Sequence, residues 1–486
     1  MNSIHGYSDR GFVLITVLVV MGGALLLATS LLFVAQAEIA GSAGTADAAQ
    51  SRALAWSGVQ AVVSRLNEQR SVILDGRMPR LDERYVIYEA GSRLGVVWLL
   101  PLGPDGGRLV PEAGKLDLNH VDAQMLTATG RIDEPLARTV IEYRDEQLGR
   151  PYQSVGELLR VPGLSPETLY GPIEELTVMD DATLGDHGVT ERLSAGIVGN
   201  GPRGLGDVVT VYGFEPAIQQ DTTRRINLNI QWSQELARRI EARFDREASE
   251  VLQRMLEGGT TFDTEAKLFQ VLRFFDVPPE DWPQIIDAFT AEAGEFHFGR
   301  LDINTAPYEA LVALPGLEPE QAARIVELRD DLPAQQRATI AWLAIQVIVQ
   351  PEAYDELAGR ITTRSWTYRV RLAAGEVGAD SPDDPPAGAV IYEAVIDLSA
   401  PRPRVAFLRD ITLLQTTAVL AVNASLDHVE SSRRFAATDN EPSDYDAVAT
   451  AGAGADSGPF EDDVTVTPTS SAKPGRRRIG RWIGGG

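Results

Sequence analysis

The alternation of apolar and polar positions divides the chain into stretches of different texture. From Phe12 to Val34 an apolar run of 23 residues carries no charged side chain. As a helix it spans roughly 35 Å, enough to cross a bilayer core of about 30 Å. The Ala-rich stretch Ala48 to Leu66 continues the helical signal, with Leu54, Val59, Val62, Val63 and Leu66 mostly on one face. Short β-type runs follow at Ser71 to Leu74, Arg84 to Glu89 and Leu94 to Leu100, punctuated by Gly91, Pro101, Gly103, Gly106 and Gly107. Helical periodicity then dominates Asp117 to Gly359, before strands return at Trp366 to Ala373, Ala389 to Leu398 and Val405 to Leu414. Past Gln415 the periodicity is lost, and Ser425 to Pro474 is too poor in apolar residues to fix a fold.

This order predicts an α+β protein: a long N-terminal helix and a small antiparallel sheet, the sheet interrupted by a large all-α insertion and followed by a disordered tail. The expected boundaries are a polar leader at 1–11, a transmembrane helix at 12–34 and its soluble continuation at 35–70. The first part of the sheet occupies 71–115, the insertion 116–361, the closing strands 362–414 and the acidic tail 415–486. The tail ends in the basic runs Arg476-Arg477-Arg478 and Arg481-Trp482-Ile483.

Inside the insertion one design recurs. Leu116-Asp117-Leu118-Asn119, Ile226-Asn227-Leu228-Asn229 and Leu301-Asp302-Ile303-Asn304 each alternate two aliphatic residues with polar ones, and each leads into a helix whose first turn is polar. The spacing predicts Asn119, Asn229 and Asn304 as helix caps, each accepting an otherwise unpartnered backbone N–H. Two blocks extend further, through Val161-Pro162-Gly163-Leu164 in one and Leu314-Pro315-Gly316-Leu317 in the other, and resemble helix-hairpin-helix units. The continuation of the middle block reads as diverged. Such units often bind DNA, using hairpin N–H groups on phosphate with nearby Lys or Arg. Here Lys115 to Val178 holds 6 basic and 11 acidic residues, and Leu301 to Asp330 holds 2 and 6. Pro166 and Pro319 each lack an N–H, and the Glu167 and Glu320 that follow repel phosphate. No nucleic acid is expected as a partner, and Pro162, Gly163, Pro315 and Gly316 are read as structural hairpin residues.

Composition sharpens this picture. A net charge of −25 favours cationic partners over nucleic acid, and zero cysteines exclude disulfides, thiol catalysis and cysteine-based zinc sites. The five histidines are scattered with no H-x-x-x-H pair, and Gly204-Leu205-Gly206 is a lone G-x-G. No enzyme is expected, and no catalytic or cofactor residue is assigned.

The front of the chain, Arg10-Gly11-Phe12 ahead of the apolar run, resembles the signal of type IV prepilins and type II secretion pseudopilins. In combination with the interrupted sheet and the insertion, it is similar to the type II secretion minor pseudopilin K family. The resemblance implies cleavage between Gly11 and Phe12 by a prepilin peptidase, and methylation of the new amine. It also implies a single pass through the inner membrane, with the soluble part in the periplasm. Most relatives carry glutamate as the fifth mature residue, where this chain has Thr16. A carboxylate there offsets the amine of a neighbouring subunit drawn into an apolar fibre core, and a tip subunit has no such neighbour. The implied partners are minor pseudopilins I and J and other secretion components, and the implied role is structural, at the tip of a pseudopilus. The family association with calcium suits carboxylate-rich loops such as Asp380, Asp383 and Asp384 or Asp180 and Asp181, but no ligand set emerges. Two alternatives stay open: a minor pilin of a type IV pilus, and a membrane-anchored DNA receptor. An ordinary secretory signal cut after Ala35-Gln36-Ala37 fits less well, because its apolar stretch spans only about 7–15 residues.

Overall fold

A computed structural model of the protein describes residues 10–102, 107–171, 204–381, 386 and 388–413. The apolar run and the Ala-rich stretch form one continuous helix, α1 (Arg10–Glu68, 59 residues). A short helix, α2 (Arg70–Leu74), follows it. The expected strand Ser71 to Leu74 is therefore a turn of helix. Ile73 and Leu74 are buried in the core against the sheet as the apolar pattern required, but on a helical turn rather than a strand.

Strands β1 (Arg84–Ala90), β2 (Arg93–Leu100) and β3 (Leu109–Pro111) come next. Among the described residues the insertion contributes eight short strands, β4 (Leu116–Asp117), β5 (Val209–Thr210), β6 (Phe214–Pro216), β7 (Ile226–Asn227), β8 (Phe289–Thr290), β9 (Phe296–Phe298), β10 (Leu301–Asp302) and β11 (Ile361–Thr362). The chain then returns through β12 (Thr367–Gly378), β13 (Val390–Asp397) and β14 (Arg404–Asp410). The main sheet runs in the order β1-β2-β12-β13-β14, with every neighbouring pair antiparallel, and β3 pairs with β12 beyond the end of β2. The α+β class thus holds, with the sheet interrupted between β3 and β12. The expected tail lies outside the described residues.

One face of the sheet carries Val97, Leu99, Val370, Leu372, Ala394 and Ile396, which pack with Leu54, Val59, Val62 and Leu66 of α1. The opposite face gathers Val96, Trp98, Leu100, Ala373, Val377 and Ile391. Successive β2 side chains alternate between two buried faces, which explains why Val96 to Leu100 reads as an unbroken apolar run. Gly58 lets the helix approach closely, since a Cβ there would lie 2.6 Å from Val97 Cγ2.

The insertion is not purely helical. Each of the three repeated blocks opens with a two-residue strand that pairs in parallel with a distant one: β4 with β5, β7 with β8 and β10 with β11. The middle block, read from sequence as diverged, is therefore a module of the same plan. Within each opening the side-chain oxygen of Asp117, Asn227 or Asp302 accepts the N–H two residues on, at 3.0, 2.7 and 3.0 Å. The closings match as well. Val209-Thr210, Phe289-Thr290 and Ile361-Thr362 each end in a threonine whose hydroxyl accepts the N–H two residues on, from Tyr212, Glu292 and Arg364. Each hydroxyl also donates to a buried glutamate: Thr210 to Glu112, Thr290 to Glu265 at 2.6 Å and Thr362 to Glu215 at 2.8 Å.

Candidate functional site

Two parts of the molecule bear on function: the N-terminal stem and the repeated modules. Along α1 the large side chains from Ile15 to Ile39 are exposed, whereas Ser51, Leu54, Ala55, Val59, Val62 and Leu66 are buried against the sheet. The helix thus projects from the head by some 40 residues, about 60 Å. Among the described residues it is the one helix long and apolar enough to cross a membrane. Thr29 returns its hydroxyl to Leu25 O at 3.0 Å, so this polar group is satisfied within its own helix. Gly11 and Phe12 fall in the first turns of α1, and Thr16 lies exposed on the projecting part.

The structure moves the asparagines away from the capping role. The helix Ala123–Ala128 is capped by Asp122, which accepts Met125 N–H at 2.8 Å, and the helix Gln234–Arg243 by Ser233, which accepts Leu236 N–H at 3.2 Å. Asn119 instead braces the module: its Oδ1 accepts Tyr152 N–H at 2.7 Å and its Nδ2 donates to Tyr152 O at 3.1 Å. Asn304, buried, donates to Gly76 O at 3.0 Å, Arg337 O at 3.0 Å and Thr363 O at 3.2 Å, fastening the third module to the turn after α2. Asn229 is exposed, and the helix after it begins only at Gln234. The physical reason is distance along the chain. The side chain two residues before each asparagine already closes the turn, so the helix starts later: Asp122 and Ser233 cap the first two, and the third begins after Pro307 with no side-chain cap.

Gly163 and Gly316 are the hairpin turns, with φ of +85° and +82°, conformations that favour glycine. Pro162 and Pro315 precede them, and Val161, Leu164, Leu314 and Leu317 point into the core. In the third module the hairpin lies against a carboxylate: a Cβ on Gly316 would meet Glu356 Oε2 at 2.9 Å. A negative side chain at that backbone opposes a phosphate there.

Beneath β6 and β9 lies a buried charge cluster. Arg300 Nη2 sits 3.1 Å from Glu265 Oε1 and 2.5 Å from Glu292 Oε1, and its Nη1 lies 3.6 Å from Glu215 Oε1. His297 Nε2 contacts Thr290 Oγ1 at 3.0 Å, and its Nδ1 faces Glu215 Oε1 at 3.5 Å. Burial by itself raises the Glu215 carboxyl, but His297, Arg225 and Arg300 outweigh it and hold the group at about 2. Glu265 is likewise held below the ordinary range, with Arg300 and Thr290 outweighing its burial. Ligand atoms of Glu265, Glu292 and His297 lie within 4.8 Å of one another, a spacing open to a metal ion. The Arg300 guanidinium fills that space and supplies the positive charge, so these residues do not fit calcium, which wants six to eight oxygens. Of the carboxylates singled out from sequence, Asp380 lies exposed just past β12, and Asp180, Asp181, Asp383 and Asp384 fall outside the described residues.

Sequence reasoning missed the three closing threonines and their glutamates. The signal was available as an apolar residue followed by threonine at 209–210, 289–290 and 361–362, though two residues carry little weight alone. Compared with known proteins, residues 111–171 match the helix-hairpin-helix motif. That span runs from Pro111, the last residue of β3, through β4 and the helices of the first module to Gly171. No curated protein matches the chain.

Proposed function

We propose that the chain is a structural, non-enzymatic subunit of a type II secretion pseudopilus, a minor pseudopilin seated at the tip and supporting export of folded periplasmic proteins. The observation that carries this reading is α1: a single helix whose first part is apolar and bare and whose last turns are buried on an antiparallel sheet. Such a stem serves twice, crossing the inner membrane before assembly and packing among other stems afterwards. Cleavage between Gly11 and Phe12 would free an amine at its start. Thr16 brings no carboxylate for the amine of an overlying subunit, which suits a position with no such neighbour. The three modules inserted between β3 and β12 add bulk to the head, which suits a position with no subunit stacked above it.

The helix-hairpin-helix match favours one rival, a membrane-anchored DNA receptor. Against it stand the acid balance of the modules and Glu356 beside the Gly316 hairpin. Immunogold labelling of the assembled filament decides the main point. One label at a filament end fits a tip subunit, and label spread along the shaft rejects it. Salt-sensitive binding of duplex DNA by the detergent-solubilised protein would favour the receptor instead.

A further inference from the structure

The ribbon formed by β6 and β9 has its polarity reversed. Its register sets Phe214 opposite Phe298, Glu215 opposite His297 and Pro216 opposite Phe296. Because neighbouring strand residues point to opposite faces, one face carries the polar pair and the other the rings. The polar pair is the inner one: Glu215 and His297 are 2% and 0% exposed. The rings are on the outside, with Phe298 53% exposed and Phe214 and Phe296 half-buried. Burial ordinarily sorts these residue types the other way, and an outward aromatic cluster marks a contact surface more often than a lone exposed apolar side chain does.

The rings are arranged rather than scattered. Phe298 lies 6.2 Å from Phe214 and 6.4 Å from Phe296, and Phe214 meets Phe296 edge-on at 6.1 Å. His120 extends the surface, nearly parallel to Phe298 with centroids 5.9 Å apart. The buried Asp117 holds the imidazole at 3.0 Å, and Gly299, with φ of +71°, leaves room for it, since a Cβ there would lie 2.4 Å from His120 Cβ. Beside the rings Glu295 is largely exposed and paired with Arg224 at 2.5 Å.

We propose that this aromatic face docks a cationic segment of a protein partner, with an Arg or Lys laid over Phe298 and Phe214. Ring faces are electron-rich and attract such cations. The net charge of −25 selects the same sign. An acidic or lipid-phosphate surface meets the wrong charge here. The inference stands whether or not the chain caps a filament.

The test uses the full chain in detergent with 4-fluorophenylalanine placed at position 298, read by fluorine NMR. A synthetic peptide alternating Arg and Leu is expected to shift the resonance saturably, and its Glu/Leu counterpart to leave it in place. Phe214→Ser in the labelled chain should weaken that binding about tenfold. Melting temperatures identify any variant that fails to fold, and the peptide titration on the otherwise native chain stands without it. The proposal is overturned by no shift with the Arg/Leu peptide or by equal shifts with both peptides. A shift on raising protein concentration alone, indicating a second copy, or a shift only with phosphatidylglycerol vesicles overturns it as well.

Discussion

The helix-sheet unit and the inserted modules solve the same problem by different means. In the first, α1 and the sheet meet through side chains such as Val59, Val62, Leu66, Leu99 and Leu372 that are fully buried. Each such burial contributes roughly 1.5–3 kcal/mol without directional demands. In the second, short strands meet across long loops, and each closing is pinned by a threonine hydroxyl on a buried glutamate. Apolar contact suits a helix long enough to cover a sheet. Two-residue strands bury too little to fix their own register, so directional hydrogen bonds do so instead.

The largest effect should come from a closing glutamate. Glu112 is fully buried and is held by Thr210 and by Arg369 Nε at 2.7 Å. Glu112→Ala strands part of that positive charge and is expected to cost about 3–5 kcal/mol in denaturant unfolding of the solubilised protein. Leu66→Ala, in the other region, should cost about 2–5 kcal/mol. What separates them is pH. Burial raises the Glu112 carboxyl, but Lys115 and Arg369 outweigh it and hold the group below its ordinary value. Its contribution is therefore present above about pH 4.3 and lost as pH falls through the lower folded value. The Glu112→Ala deficit should shrink in acid while the Leu66→Ala deficit stays constant; equal pH profiles would erase the distinction.

Asp302 sharpens the comparison from the opposite side. Burial pushes its carboxyl up to about 6, against the opposing hydrogen bonds from Thr305 and Asn304. The folded state then holds the proton more tightly than the unfolded chain, so stability falls as pH rises from about 4 to 6 and stays lower above. The middle module already uses an amide in this place, Asn227, with the same turn bond. Asp302→Asn should therefore stabilise by up to about 3 kcal/mol at pH 8 and by nothing at pH 4, as thermal melts at the two pH values would show.

Asparagine deletions are smaller. Asn304→Ala removes a buried donor serving three carbonyls and should cost about 1–3 kcal/mol, whereas exposed Asn229→Ala should stay within about 0.5 kcal/mol. Similar losses at both would restore the capping reading. Ser233→Ala should cost about 1 kcal/mol, as loss of the true cap of that helix.

What could be read from the chain follows the same division. α1, β1, β2, β12, β13 and β14 were legible because their periodicity is local and long enough to count. Ser71 to Leu74 was not, since a short apolar run serves strand or helix equally. The expected strand Val405 to Leu414 ends at Asp410, where Thr412 hydroxyl turns onto Asp410 Oδ1 at 2.6 Å. The hairpin glycines stood out because their turn demands a residue type. The partners of β4, β7 and β10 lie some 60 to 90 residues further along, and two-residue strands leave no pattern to find them by. For the same reason Asn119 and Asn304 looked like local caps: the carbonyls they bind at Tyr152, Gly76 and Thr363 are near only in the folded protein.

The central claim is that α1 is a processed stem, and the mass of the N-terminal peptide of the mature protein extracted from membranes tests it most directly. The account predicts a chain that begins at Phe12 with a methylated amine. A chain that begins at Glu38, its apolar run removed, would contradict it.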